Sequence, residues 1–190
     1  MNATYWTQIY QGNGGGTTSR LSIWWGRIAA SESRDYLVTH TSGDTIIAGV
    51  CAYRNCIATG SPIDVSGTGG SGTDSTMETT GVTTTTDGAM LVAVHGAGND
   101  NTITAVSGWN PRLEDTGGGT QNSFQTTLGT DGMVGIMDKS LATAGTQADI
   151  TVTQSLSNAW ASYMFALRST RSASGVSCMD KATTTAGSQS

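Results

Sequence analysis

Ala159-Trp160-Ala161-Ser162-Tyr163-Met164-Phe165-Ala166-Leu167-Arg168 is an almost unbroken apolar run closed by an arginine. A strand with one wet face alternates apolar and polar residues, whereas a strand covered on both faces reads as a continuous run of this length. Thr45-Ile46-Ile47-Ala48-Gly49-Val50-Cys51-Ala52-Tyr53-Arg54 has the same build. Extended upstream, Thr41 to Arg54 aligns without gaps to Ser155 to Arg168: a polar turn, an apolar strand, then Arg. A period-2 strand precedes each turn, Tyr36 to Thr39 in one copy and Asp149 to Thr153 in the other. Trp6 and Trp109 stand further upstream, each followed by a Gly-rich turn and a strand. Two similar multi-strand halves point to two facing sheets with pseudo-twofold character. The Thr45 to Tyr53 run is expected to be buried on both faces or central in its sheet. Ala89-Met90-Leu91-Val92-Ala93-Val94-His95 is a second strong core strand.

The rest of the chain agrees with a strand-and-turn reading. Tyr5 to Tyr10, Leu21 to Ala29 and Pro62 to Val65 carry strand signals, as do Thr102 to Val106, Trp109 to Leu113, Ser123 to Leu128 and Met133 to Met137. Gly12-Asn13-Gly14-Gly15-Gly16 is a hairpin turn, and residues 66–76 are a Gly/Ser/Thr loop. No segment shows sustained helical periodicity. The composition explains why: charged residues make up 12% of the chain and glycine contributes 26 residues. Surface helices need Glu, Lys, Ala and Leu, whereas Thr suits a pleated, half-exposed surface. The length of 190 residues suits one core-forming domain. The expected organisation is a β-sandwich over residues 1–168 with pseudo-repeat halves, then an extended Ser/Thr-rich C-terminal arm over 169–190.

Several function classes are disfavoured. The net charge of -5 argues against nucleic acid, which recruits basic patches. No apolar run approaches the ~20 residues of a membrane helix, and the N-terminus does not read as a signal peptide. Three cysteines, Cys51, Cys56 and Cys178, do not form a disulfide framework and read as free thiols in a reducing cytosol.

Candidate chemistry is sparse. His40 and His95 read as partly exposed strand-end residues, without the clustered ligands a zinc site needs. Glu32, Glu78 and Glu114 fall in or beside turns and weak strands, with no evident pair for glycoside cleavage. Gly98-Asn99-Asp100-Asn101 lacks the spacing and closing Glu of a calcium loop and reads as a turn. No catalytic residue, metal or cofactor is expected. Partner contact is the more natural use of the remaining conspicuous residues. Trp24 and Trp25 are adjacent, so in a strand they point to opposite faces, one to the core and one outward. Arg168 and Arg171 end the last core strand, as a strand cap or a partner contact. Val176, Cys178 and Met179 form a small apolar patch in a polar arm and read as an anchor to a neighbour.

The segment Arg54-Asn55-Cys56 to Val65, with Ser61-Pro62-Ile63-Asp64-Val65, leads into a Gly/Ser/Thr loop, Val82-Thr83-Thr84-Thr85 and the strand Met90-Leu91-Val92-Ala93-Val94. Together with Gly108-Trp109, the Gly117-Gly118-Gly119 turn and Trp160 to Arg168, this pattern resembles a β-sandwich module of bacteriophage virion proteins, over roughly residues 5–168. The resemblance implies an antiparallel, jelly-roll-like sandwich and a non-enzymatic structural role. It implies a capsid decoration or cement protein on the outer capsid surface of the virion, assembled in the host cytoplasm. Its partners would be the major capsid protein and neighbouring copies of itself, as a homo-oligomer with a trimer favoured by analogy. The alternative is a tail or fibre module binding carbohydrate or a host receptor through Trp24, Trp25 and Trp160. The chain departs from the pattern at its start, where a core strand before Trp6 is expected. A neighbour's strand or the chain's own tail would then supply that edge.

Overall fold

The computed structural model describes residues 6–16, 19–28, 45–104, 106–113, 124–125, 132–170 and 176–186. These residues form fifteen strands and no helix. The first seven are β1 (Trp6–Asn13), β2 (Arg20–Gly26), β3 (Ile46–Arg54), β4 (Ile63–Ser66), β5 (Gly70–Gly72), β6 (Thr76–Thr79) and β7 (Thr83–Thr84). Then come β8 (Met90–Ala97), β9 (Asn110–Pro111), β10 (Phe124–Gln125), β11 (Met133–Ser140), β12 (Gly145–Thr146), β13 (Ile150–Thr153), β14 (Trp160–Leu167) and β15 (Ser177–Ala186).

A central antiparallel sheet organises the chain. Its path is β10-β11-β8-β14-β4, with β5 also on β14 and β9 also on β11. β8 is the middle strand. Every residue from Met90 to Ala97 pairs with β14 on one side and β11 on the other. Side chains alternate through a sheet, so such a strand has two faces to cover. Met90, Val92 and Val94 join Tyr163, Phe165 and Leu167 of β14 and Val134 and Ile136 of β11 on one face. Two ribbons, β1–β2 and β3–β15, cover that face through Ile9, Tyr10, Leu21, Ile23, Ile47, Cys51 and Tyr53. Leu91, Ala93 and Ala97 join Trp160, Met164 and Ala166 on the other face. There Met77 of β6, Ile150 and Val152 of β13, Val82 and Leu141 complete the packing.

The all-β, antiparallel, sandwich-like architecture is therefore present, with three layers rather than two. The middle layer accounts for the unbroken apolar runs: all eight residues of β14 are buried, and seven of eight in β8. Fully burying one large apolar side chain contributes about 1.5–3 kcal/mol, and the central strands do this on both faces.

Close approach of backbone to aromatic rings selects glycine, within the central sheet as well as between layers. A Cβ on Gly72 would stand 2.7 Å from the Trp160 ring, and one on Gly69 would stand 2.3 Å from the Tyr10 hydroxyl. Tyr10 in turn stacks on Tyr163 with ring centroids 4.2 Å apart, seating the β1–β2 hairpin on the central sheet.

Three expectations need correction. β3 is neither central nor buried on both faces; it lies in an outer ribbon, and its residues are half-buried. The two copies of the internal repeat consequently occupy different places, β14 in the middle layer and β3 in an outer one. Residues 66–76 are not simply a loop, because Gly70–Gly72 pairs with β14. The stretch Tyr36 to Thr39 lies outside the described residues. Ser177–Ala186 pairs with β3 of the same chain from Arg54 to Ile46, so the tail supplies the second strand of that ribbon.

Candidate functional site

The β1–β2 hairpin carries the two adjacent tryptophans. Leu21 and Ile23 point into the core, while Trp24, Trp25 and Gly26 are all half-buried. Neither tryptophan is a core residue, which corrects the expected one-in, one-out arrangement. The alternation that buries Leu21 and Ile23 ends at Trp24, opposite Gln8 and Thr7 of β1. The Arg27 guanidinium lies 5.7 Å from the Trp25 ring centroid. It also donates from Nη1 to the Ile57 carbonyl and from Nη2 to the Gly60 carbonyl, each at 2.8 Å. This bond set ties the end of the hairpin to the turn after β3.

Arg168 follows β14 and faces a buried acid. Its Nε lies 3.6 Å from Oδ1 of Asp64, whose side chain is fully buried. The Asp64 carboxylate accepts from the Thr85 amide and hydroxyl at 2.7 Å each, and from the amide and hydroxyl of Thr86. Burial by itself raises the Asp64 pKa, but the bonds from Thr86 and Thr85 outweigh it and hold the carboxyl below its usual value. Arg171 lies outside the described residues. Val176 is 2% exposed and belongs to the chain's own core, with its amide donating to the Gly88 carbonyl. It therefore packs in the chain's own core and is not the expected anchor to a neighbour. Met179 falls at the bulge of β15, where the register skips from Cys178 to Asp180, and its side chain lies outside the described residues.

Two buried polar centres remain, one without a sequence signal and one whose burial differs from the expectation. The first is Asp138 on β11, fully buried. Arg112 grips it with Nε and Nη2 at 2.6 and 2.7 Å, and the Tyr53 hydroxyl donates to it at 3.2 Å. The Tyr53 bond ties β3 to the central sheet, and Arg112 holds the carboxylate that receives it. Burial, reinforced by Cys178 and Asp138 nearby, pushes the Cys51 thiol up to about 12, so it is protonated at neutral pH. Burial, with Cys51 and Asp138 beside it, likewise raises the Tyr53 pKa.

The second is His95. It is fully buried within β8 rather than partly exposed at a strand end, because β8 continues through Gly96 and Ala97. Its Nε2 lies 3.0 Å from the Thr79 hydroxyl, and Nδ1 has no hydrogen-bond partner. Burial lowers its pKa to about 4. His40, Glu32 and Glu114 lie outside the described residues, and Glu78 is exposed on β6. Trp160 is 4% exposed and donates to Asp74, so it offers no face for a sugar. In the 98–101 turn, Asn101 donates to Gln154 and Leu156, and Asp100 accepts from Gly132. Among the described residues no group of three or more His, Cys, Asp or Glu side chains could hold a metal ion.

The surface feature that remains is the outward face of β3. Ile47, Cys51 and Tyr53 pack on the core, which leaves Ile46, Ala48, Val50 and Ala52 at the alternate positions, all half-buried. The chain matches no family model, no curated protein and no solved structure.

Proposed function

We propose that this chain is a non-enzymatic structural protein of a bacteriophage particle, a decoration or cement protein that binds the major capsid protein and neighbouring copies of itself. The single observation that carries the binding role is the apolar stripe Ile46, Ala48, Val50 and Ala52 on the outward positions of β3. A half-covered apolar stripe on an outer layer suits a partner's surface. The ribbon that bears it, β3–β15, has no third strand among the described residues, so a partner can add backbone pairing at its edge. The buried acids also favour a structural reading. Asp64 and Asp138 are taken up in bonds that hold layers and loops together. The phage assignment and the jelly-roll relationship rest on the sequence resemblance.

The reading is tested by mass-spectrometric stoichiometry on purified particles, with the major capsid protein as the standard. Hundreds of copies per particle support it, and absence from particles removes it. Val50→Lys then probes the stripe: the folded variant should lose particle binding. A handful of copies would favour the second reading, a tail or fibre module binding host carbohydrate. The half-buried Trp24 and Trp25 on the hairpin favour that reading, and polysaccharide binding lost in Trp24→Ala or Trp25→Ala would establish it.

A further inference from the structure

The seam between the central sheet and the β6–β13 layer contains two side-chain hydrogen bonds within an otherwise apolar interface. Ser162 of β14 donates from Oγ to the Glu78 carbonyl at 2.7 Å, and His95 of β8 meets the Thr79 hydroxyl at 3.0 Å. Ser162 and His95 are directly opposite each other in the β8–β14 ladder, with Gly135 of β11 opposite His95 on the other side. Thr79, His95 and Ser162 have no exposed surface.

This geometry accommodates only a neutral imidazole. A neutral ring has one N–H and one lone pair, so a single bond at Nε2 leaves one nitrogen unpaired whichever tautomer is present. A protonated ring has two N–H donors and needs two acceptors. Nδ1 has none. No charge compensates either. β6 contributes the Thr79 hydroxyl and turns Glu78 outward; β14 contributes Ser162, β11 Gly135, and β13 the apolar Ile150 and Val152. Burial is the sole cause of the ring's shift, with no charged neighbour contributing.

We propose that His95 is an acid-sensitive joint: its protonation expels the ring from the seam and releases the β6–β13 layer from the central sheet. The other layer, built on β1–β2 and β3–β15, lies across the sheet and contains no histidine among the described residues. The joint is therefore directional. Acid loosens one side of the sandwich and leaves the other seated.

The sign follows from linkage. A group whose pKa is lowered by folding binds its proton more readily in the opened state, so closure weakens as pH falls from the ordinary imidazole range toward the folded value near 4. Native-state hydrogen exchange between pH 7 and pH 4 tests this on the full chain. The opening constant for the amides of Met77, Thr79, Ile150 and Val152 should rise by up to about tenfold per pH unit below roughly pH 6.5. The amides of Leu21 and Ile23 should not follow that slope. His95→Gln keeps an amide to meet Thr79 and cannot titrate; it should flatten the slope. Should that variant fail to fold, histidine-labelled NMR on the natural chain decides. One imidazole remaining neutral to about pH 4 supports the joint, and both titrating near 6.5 overturns it. An equal loss of protection in both outer layers also overturns it.

Discussion

β14 and β3 share one sequence pattern and have opposite fates. Each is a polar turn followed by an apolar strand and an arginine. β14 lies between β8 and the β4–β5 side of the central sheet, and two layers cover it. Among the described residues β3 pairs only with β15, and all of it but the exposed Arg54 is half-buried. Apolar content sets how much a strand gains by burial. It does not say whether the cover comes from the same chain. In β14 the cover is complete, whereas β3 stays half-buried.

Substitution at equivalent repeat positions is the sharpest way to break this comparison. Met164 and Val50 align in the two copies. Met164→Ala should cost about 4 kcal/mol in urea unfolding, since the side chain is fully buried. Val50→Ala should cost about 1 kcal/mol because the residue is half-buried. Equal costs would mean that β3 is as deeply enclosed as β14. The buried ion pair beneath β3 comes next. Arg112→Ala leaves the buried Asp138 carboxylate unpaired and should cost about 3 kcal/mol, with Tyr53 and β15 losing protection first. Asp64→Asn, at the arginine end of β14, should cost about 2 kcal/mol at neutral pH. Because folding lowers the Asp64 pKa, its contribution is present above the ordinary carboxyl range and is lost as pH falls through the folded value. A stability difference from Asp64→Asn that narrows only below about pH 4 would confirm the sign. Arg27→Ala should have the smallest effect, about 0.5–1 kcal/mol, as it removes two exposed carbonyl bonds and the contact with Trp25.

The sequence made the strand class legible because periodicity and turn chemistry are local properties. β8, β13 and β14 were readable in this way, as was the strand after Pro62. Layer order was not readable. A continuous apolar run records two apolar faces, and β3 has two without being central. His95 was misread because Gly96 looks like a strand end. In the sheet, Gly96 and Ala97 still pair on both sides, so the histidine falls inside the core. The Asp138 centre had no local signature either. Arg112 and Asp138 belong to different segments, and only sheet pairing brings them together. Val176 looked like a sticky patch in a polar tail because its burial depends on contacts with Gly88 and the far side of the core.

The place of β14 in the chain also governs how the protein is made. β14, an inner strand of the central sheet, leaves the ribosome long after its ladder partner β8. Until Leu167 emerges, β8 is already synthesised with one ladder partner and both outer layers missing their common wall. The long sequence gap between β8 and β14 must close before most apolar side chains find cover, which makes folding slow and late. A nascent chain stalled before Trp160 would carry an open, apolar sheet edge. Truncation from the C-terminus should therefore produce an aggregating chain rather than a smaller folded one.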